Sequence, residues 1–220
     1  MKLFLYGGGK PTKKDKFNQA LLELLPKKDL KIVFIPSSGD KTGRYFKEFK
    51  ERFVLFGFKK FYFFSLEEEY DKNLIKDIMA CDAIYLSGGN TYHFLWWLKK
   101  RKFLNTLLDF VKKGGILMGS SAGSILMTPK IDISGAPYYD CDKNKIGLKD
   151  FKALNLVKFE FFPHYLSSPR LDAELIGYSK TTPYPVFAVK EQSGIIVWDK
   201  EIKIIGDYNI FYKGNSFKLI

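Results

Sequence analysis

The first half of the chain alternates short apolar runs with segments in which apolar residues recur at helical spacing. Continuous apolar runs are typical of strands buried on both faces of a parallel sheet, and a recurrence at i, i+3 and i+4 predicts helices. The predicted strands are Lys2–Gly7, Lys31–Pro36, Lys60–Leu66, Ala83–Leu86 and Ile116–Met118. The predicted helices are Phe17–Leu25, Arg44–Phe56, Asn73–Ala80, Tyr92–Lys100 and Phe103–Lys113. This alternation predicts an α/β three-layer sandwich, with a mostly parallel sheet and helices on both faces.

The second half differs in composition and in the spacing of its apolar residues. Residues 128–150 are rich in proline, glycine, aspartate and tyrosine and are predicted to form a loop. A strand at Phe159–Phe162 and a helix at Leu171–Tyr178 follow, and short β-rich runs begin at Val186. These last runs predict antiparallel hairpins added to the sheet. No repeat, low-complexity segment or linker interrupts the sequence, so we predict a single domain over residues 1–220.

Three turns made of small residues follow predicted strands, at Gly7–Gly9, Ser87–Asn90 and Gly119–Gly123. In a parallel sheet the carboxyl ends of the strands share one edge, and ligands bind there. The three turns together therefore predict one cleft. The first of them lacks the spacing of a phosphate-binding P-loop.

The third turn carries the pattern G-x-S-x-G between two apolar runs, which is the spacing of a nucleophile elbow. A serine on a sharp strand-to-helix turn exposes its hydroxyl, and the flanking glycines avoid clashes between the strand and the helix. Ser121 is the candidate nucleophile. The amide of Ala122, at the start of the following helix, would point where an oxyanion forms. Because the pattern also occurs in ordinary turns, catalysis requires a base and an acid elsewhere.

The chain offers two histidines as the base, His93 and His164. His93 follows Gly-Gly-Asn-Thr at the start of a predicted helix, where we expect a histidine at the edge of the cleft or on the surface. His164 ends an apolar strand and would project into the cleft. We therefore predict His164 as the base.

The acid is left open by the residues alone. Asp132, Asp140 and Asp142 lie between the serine and the histidine, in the chain order of α/β-hydrolases. Glu191 follows the predicted strand that begins at Val186, and its place at a strand end favours it.

The sequence resembles the aspartyl dipeptidase (peptidase E) and cyanophycinase family of serine peptidases in four features. These are the segment 87–91 (SGGNT) after a short strand, the elbow followed by Ser124, Pro163-His164-Tyr165, and Glu191 at a strand end. The order of elements agrees from Lys2 to about Val197. The resemblance implies a fold similar to class I glutamine amidotransferases, with serine in place of their elbow cysteine.

The resemblance also implies the roles of individual residues. Ser121 would be the nucleophile, His164 the base and Glu191 the orienting acid, and the amides of Gly89 and Ala122 would form the oxyanion hole. It is the resemblance, rather than the spacing, that places Glu191 above the aspartates.

The resemblance also implies which residues contact the substrate. Gly88, Asn90 and Thr91 would lie against it, and Arg170 is the candidate cation for the carboxylate of an N-terminal aspartate. The expected activity is hydrolysis of short peptides, above all dipeptides with N-terminal aspartate, without a metal or other cofactor. The alternatives are a cyanophycinase-like or other isoaspartyl peptidase, and a non-catalytic binding or regulatory protein on the same scaffold.

Composition changes this picture little. The net charge is +12, but the lysines are scattered at predicted helix ends and loops, which favours a solvated surface over a nucleic-acid site. No apolar run approaches the ~18 residues that cross a bilayer, and the N-terminal segment is predicted to be a strand rather than a signal peptide. Cys81 and Cys141 form neither a disulfide framework nor a zinc pattern. We expect a cytoplasmic monomer or homodimer with no nucleic-acid or membrane partner.

Overall fold

A computed structural model describes residues 1–9, 15–26, 29–71, 73–138 and 141–218. Its strands are β1 Lys2–Tyr6, β2 Leu30–Ile35, β3 Phe58–Phe63, β4 Ala83–Leu86, β5 Ile116–Ser120, β6 Glu160–Phe162, β7 Val186–Val189, β8 Gly194–Trp198, β9 Glu201–Ile205, β10 Tyr208–Tyr212 and β11 Asn215–Phe217. Its helices are α1 Lys16–Leu24, α2 Arg44–Phe53, α3 Leu74–Met79, α4 Thr91–Lys100, α5 Phe103–Lys112, α6 Ala122–Ile125 and α7 Pro169–Ser179. Short 3₁₀ turns cover Val54–Phe56 and Asp132–Gly135.

The larger sheet has the strand order β3-β2-β4-β5-β1-β8-β9. The first five strands in this order are parallel, and β8 and β9 extend the sheet in antiparallel pairing. Because β4, β5 and β1 are neighbours, the loops after their carboxyl ends lie side by side. The three small-residue turns of the sequence all follow these strands.

Both faces of this sheet are buried, which explains its continuous apolar runs. On β1, Leu3 and Leu5 belong to one hydrophobic cluster, while Phe4 and Tyr6 belong to another on the opposite face. Helices α1 and α2 supply the second cluster, and α4, α5 and α6 supply the first. The α/β sandwich predicted from the alternation of strands and helices is confirmed.

A second sheet has the order β11-β10-β7-β6, with β6 and β7 parallel and the other pairs antiparallel. The expectation that all of the C-terminal runs extend the first sheet was therefore right for β8 and β9 and wrong for β7, β10 and β11. Alternate residues of β7, Val186 and Ala188, pack into the same cluster as α4 and α5. The period of these runs indicates strands but does not select their partners.

Several element boundaries differ from the predicted ones by a few residues. The helix expected to run to Phe56 is α-helical only as far as Phe53 and then tightens to a 3₁₀ turn. Gly57 ends it in the left-handed region with φ 85°, as is common at helix C-termini. Strand β3 then begins at once, earlier than predicted. None of the described helices is long and apolar enough to span a membrane.

Candidate active site

The elbow between β5 and α6 holds Ser121 at φ 51° and ψ −114°, outside the usual regions for a residue with a side chain. A Cβ on Gly119 would lie 2.4 Å from the carbonyl carbon of Gly123, and one on Gly123 would lie 2.2 Å from the Leu86 oxygen. Only glycine fits at either position. The motif G-x-S-x-G is thus required here by close backbone contacts.

The amides of the elbow are almost all engaged. The Ser121 N–H donates to the Tyr6 carbonyl at 3.0 Å, and the Gly123 N–H donates to the Ser87 carbonyl at 3.1 Å. The Ser124 N–H donates to the Ser121 carbonyl at 2.9 Å. Among the residues that the structure describes, no acceptor faces the Ala122 N–H. An unpaired amide at a helix start is available to a ligand.

Ser124, which follows the elbow on α6, connects the elbow to strand β1 of the larger sheet by hydrogen bonds. Its buried hydroxyl accepts from the Tyr6 N–H at 2.9 Å and lies 2.9 Å from the Gly119 oxygen, to which it donates. This residue has a positioning role that the sequence motif alone does not reveal.

The imidazole of His164 lies between Ser121 and Glu191. Its Nε2 is 3.0 Å from the Ser121 Oγ, and its Nδ1 is 3.0 Å from the Glu191 Oε1. A carboxylate only accepts, so Nδ1 carries the proton and Nε2 is left to accept from the serine hydroxyl. The side chains of His164 and Glu191 are 43% and 55% exposed, so the group is open to solvent on one side.

The second sheet brings His164 and Glu191 together, because they follow the neighbouring parallel strands β6 and β7. The Gly7–Gly9 turn after β1 packs against both His164 and Glu191. The His164 N–H donates to the Gly7 carbonyl at 3.1 Å. A Cβ on Gly8 would lie 2.2 Å from the His164 Cε1, and one on Gly9 would lie 2.7 Å from the Glu191 Oε2. The Gly7–Gly9 turn is therefore a platform under the histidine and the glutamate.

Tyr165, next to His164, is held by a buried polar network. Its hydroxyl donates to the Asp172 Oδ1 at 2.6 Å and accepts from the Asn209 Nδ2 at 2.7 Å. Burial, with a smaller contribution from Asp172, raises the pKa of Tyr165 to about 12, so the hydroxyl stays protonated and can donate. These contacts connect the His164 segment to α7 and β10.

A cavity of about 210 Å³ opens beside Ser121. Its polar wall includes Thr91, Ser134, Asp142 and His164, and its apolar wall includes Ile125, Ile133 and Phe162. The Thr91 Oγ1 is buried and has no hydrogen-bond partner among the described residues. No lysine or arginine lines the cavity in the part of the chain that the structure describes. The cavity therefore offers a carboxylate and hydroxyls to whatever occupies it.

The aspartates considered as alternative acids lie in other places. Asp132 pairs with Lys130 at 3.6 Å, and the Asp142 Oδ2 accepts from the Thr91 N–H at 2.7 Å. Asp140 lies outside the described residues. Neither described aspartate forms a hydrogen bond or an ion pair with His164, whereas Glu191 does.

The loop after β4 contains the other candidate residues. A Cβ on Gly88 would lie 3.5 Å from the Ser121 Cβ, so this loop faces the serine. Asn90 caps α4 by accepting from the His93 N–H, and its Nδ2 donates to the Lys143 carbonyl at 3.1 Å. Its amide is thus engaged in shaping the loop. Gly89 and Thr91 both line the cavity.

Arg170 lies in the first turn of α7 with its side chain 56% exposed. Its Nε donates to the Glu174 Oε1 at 3.3 Å. Arg170 does not line the cavity beside Ser121. The candidate cation is therefore not part of the cavity wall.

His93 does not line the cavity beside Ser121 and contacts the loop after β2 instead, with its Nδ1 2.9 Å from the Ser37 carbonyl oxygen. Ser37 is a residue of the site region that sequence reasoning missed, although the rule that sites lie at strand ends would have found it. The sequence predicts that the Gly7–Gly9 turn lines the cleft, but not its close approach to His164 and Glu191. Asp142 is considered from sequence only as an alternative acid, and nothing in its irregular segment predicts its place in the cavity wall.

The sequence matches peptidase family S51 over residues 3–205. The chain belongs to this family. It is 35% identical to an uncharacterised peptidase of Pasteurella multocida over 142 residues, which cover 64% of this chain and 65% of that protein. It is 28% identical to peptidase E of Nostoc over 191 residues, which cover 82% of this chain and 74% of that one. With the Pasteurella protein and two Listeria peptidases, the alignments span only 57% to 65% of the relatives' length.

Solved structures support the same fold. A crystal structure assigned to peptidase E of Listeria monocytogenes superimposes with a TM-score of 0.71 at 24% identity, covering 92% of this chain and 96% of that chain. A peptidase from an acI-B1 Actinobacterium superimposes with a TM-score of 0.59 at 14% identity, covering 99% and 96%. Because both structures are less than 25% identical to this chain, the similarity supports the fold alone. The resemblance to the peptidase E family that the sequence motifs suggest is confirmed.

Proposed function

We propose that the protein is a serine peptidase that hydrolyses short peptides, with dipeptides bearing an N-terminal aspartate as its substrates. The observation that carries this proposal is the position of the His164 ring between two partners. Its Nε2 is 3.0 Å from the Ser121 Oγ, and its Nδ1 is 3.0 Å from the Glu191 Oε1. Membership of family S51 and relatives named peptidase E support the same reaction class.

In the proposed acylation step, the Ser121 Oγ attacks the carbonyl carbon of the peptide bond and its proton passes to the His164 Nε2. The negative charge that develops on the carbonyl oxygen is stabilised by the amides of Gly89 and Ala122. Glu191 holds the Nδ1–H tautomer and stabilises the imidazolium. His164 then protonates the leaving amine, and the aspartyl group remains as an ester on Ser121.

In the deacylation step, a water molecule attacks the ester carbonyl and gives a proton to His164. The same two amides stabilise the second oxyanion. The Ser121 oxygen leaves, takes the proton back from His164, and the free amino acid is released.

The cavity chemistry supports a substrate with a free amino group. Asp142 is the carboxylate in the described wall of the cavity, and the buried Thr91 Oγ1 lies near it without a partner. A substrate ammonium would satisfy both groups, whereas a substrate carboxylate beside Asp142 would be repelled. We therefore assign the cavity to the N-terminal ammonium rather than to the aspartyl side chain.

The aspartyl side chain then needs a cation outside the cavity. Arg170 is the proposed partner, and the substrate carboxylate would compete with Glu174 for its guanidinium. Because Arg170 is exposed, its contribution to binding is modest, about fivefold or less in KM.

A panel of dipeptides tests this function. We expect cleavage of Asp-Leu, weaker cleavage of Ala-Leu, and no cleavage of N-acetyl-Asp-Leu, with Ser121→Ala as the blank. Asp142→Asn should raise KM for Asp-Leu. Cleavage of isoaspartyl-Leu in preference to Asp-Leu would favour an isoaspartyl or cyanophycinase-like activity instead. Failure to cleave any peptide, together with no labelling of Ser121 by a fluorophosphonate, would leave the non-catalytic alternative.

A further inference from the structure

The peptide group that carries the Gly89 N–H has its carbonyl on Gly88, and two serine hydroxyls bind that carbonyl. The Ser37 Oγ donates to the Gly88 oxygen at 2.7 Å, and the Ser87 Oγ donates at 2.9 Å. A planar trans peptide directs its C=O and N–H to opposite sides. Holding the carbonyl therefore also fixes the direction of the Gly89 N–H.

Ser37 also occupies the space that a side chain at position 89 would need. A Cβ on Gly89 would lie 1.9 Å from the Ser37 Oγ, and Gly89 has φ 133°, which L side chains rarely adopt. Ser37 is only 6% exposed. The hydroxyl is thus packed against the peptide that it binds.

Ser37 is in turn held by two neighbours. Its N–H donates to the Ser87 Oγ at 2.8 Å, and its carbonyl oxygen lies 2.9 Å from the His93 Nδ1. Because a carbonyl only accepts, Nδ1 is the protonated nitrogen of His93. Its Nε2 then accepts from the Trp97 Nε1 at 3.2 Å.

The surroundings of His93 keep this arrangement ordered. His93 lies on α4, whose N-terminus is capped by Asn90. The guanidinium of Arg101 lies over the Trp97 ring and so supports the partner of the His93 Nε2. His93 therefore connects a rigid helix to the Ser37 segment.

We propose that Ser37 and His93 are positioning residues of the oxyanion hole, acting through the Gly88–Gly89 peptide. This proposal rests on the proposed function, because it requires that the Gly89 amide stabilises an oxyanion on a carbonyl attacked by Ser121. Ser37 orients the peptide, and His93 holds Ser37. Neither side chain touches the substrate.

A fluorophosphonate probe tests the proposal without any assumption about peptide specificity. Its phosphoryl oxygen occupies the oxyanion hole while the Ser121 Oγ displaces fluoride and His164 takes the proton. We expect Ser37→Ala to lower the second-order rate of labelling, and kcat on the best dipeptide, about fivefold each, with KM changed less than twofold. The double variant Ser37→Ala/Ser87→Ala should lower the labelling rate and kcat further than Ser37→Ala alone.

A matched control separates positioning from stability. Ser179 is fully buried; its hydroxyl donates to the Ile176 carbonyl at 2.8 Å in α7 and accepts from the Gly214 N–H at 2.9 Å. Ser179→Ala removes both hydrogen bonds and should lower the melting temperature at least as much as Ser37→Ala, while leaving the labelling rate unchanged. At His93, asparagine keeps a donor at the position of Nδ1, so His93→Asn should retain most of the rate, and His93→Leu should lose it.

The outcomes distinguish the two proposals. If the wild-type protein is not labelled, the proposed function fails and this inference fails with it. If the wild-type protein is labelled and Ser37→Ala is labelled at the same rate, only the positioning role is overturned. Equal rates for His93→Asn and His93→Leu, in folded protein by circular dichroism, would overturn the role of His93.

Discussion

At the scale of single residues, the site collects backbone conformations that side chains rarely adopt. Ser121, His164 and Gln192, which follows Glu191, have φ values of 51°, 54° and 60°. Such conformations cost about 1–3 kcal/mol each and persist only where the surrounding structure enforces them. Here the elbow glycines and the Gly7–Gly9 turn enforce them. The elbow motif predicts the strained conformation of Ser121, but no residue pattern predicts those of His164 and Gln192.

The first prediction concerns the nucleophile. Ser121→Ala should abolish hydrolysis, by on the order of a million-fold in kcat, because it removes the attacking oxygen and nothing else of the fold. The melting temperature should stay within a few degrees. Ser120→Ala is the matched control, since Ser120 is the neighbouring serine at the end of β5. If Ser120→Ala is inactive while Ser121→Ala retains activity, the assignment of the nucleophile is wrong.

The second prediction concerns the acid. Glu191→Gln keeps the size of the side chain but offers an amide that can favour the wrong tautomer of His164. We expect kcat to fall about a hundredfold or more with little change in unfolding. The loss should be smaller than for a buried triad acid, because solvent screens the half-exposed carboxylate. Asp132→Asn serves as the control, since Asp132 pairs with Lys130; a larger loss there would contradict the assignment.

At the scale of elements, the turn after β1 shows how backbone shape sets the geometry of the site. Gly8→Ala would place a methyl group 2.2 Å from the His164 Cε1 and would force φ 105° on alanine. We expect the displaced ring to lower kcat about a hundredfold or more. Kinetics on Asp-Leu and thermal unfolding measure the two effects separately.

Gly57→Ala is the matched control for this glycine. It imposes φ 85° on alanine but meets nothing within 4 Å, at the start of β3 and away from the carboxyl ends of the strands. It should be destabilised by about 1–2 kcal/mol and retain full kcat. Equal kcat for the two variants would argue against the platform role of Gly7–Gly9.

The opposite effect is expected at Gly177, in the interior of α7. A Cβ there meets nothing within 4 Å, and the residue has no positive φ. Gly177→Ala should raise the free energy of unfolding by about 0.5–1 kcal/mol, because alanine loses less backbone entropy in a helix. Urea denaturation measures this change; a decrease in stability would mean that the methyl group disturbs the packing of α7.

The elements themselves could largely be read from the sequence, and their partners could not. Strands β1, β2 and β4 are continuous apolar runs because both of their faces are buried, so their type and place were predictable. Strand β7 shows an equally clear pattern, yet it pairs with β6 and β10 rather than with the larger sheet. Pairing depends on contacts between distant segments, which periodicity does not encode.

At the scale of the whole molecule, the candidate triad joins the two sheets. Ser121 follows β5 of the larger sheet, whereas His164 and Glu191 follow β6 and β7 of the smaller one. Strand-end reasoning pointed to each residue separately, but only the resemblance to a known family selected Glu191 over the aspartates. The sequence does not predict Asp142 as a cavity residue, because the cavity combines segments that follow strands of both sheets. It does not predict the contacts of Ser37, because they join the loops after β2 and β4.

The last prediction concerns a carboxylate buried in this smaller sheet. Glu160 on β6 is fully buried and accepts hydrogen bonds from the hydroxyls of Tyr178 and Thr182. Burial is the largest effect and raises the pKa of Glu160 above its ordinary value of 4.5, although both hydroxyls oppose the shift. A carboxyl with a raised folded-state pKa binds more protons in the folded than in the unfolded protein. Its contribution to stability is therefore present below about pH 4.5 and is lost as pH rises through the folded pKa.

Glu160→Gln removes this titration while its carbonyl still accepts from one hydroxyl, and the other hydroxyl can rotate to accept from the amide. The free energy of unfolding of the variant, minus that of the wild-type protein, should therefore increase between pH 4 and pH 7. Urea denaturation at several pH values measures this difference, and Glu51→Gln on the exposed side of α2 is the control. A difference that stays constant with pH would mean that the two hydroxyls balance the effect of burial. A difference that decreases with pH would mean that the hydroxyls outweigh burial; the smaller sheet would then be stabilised by a charged centre, and Glu160→Gln would weaken it most at neutral pH.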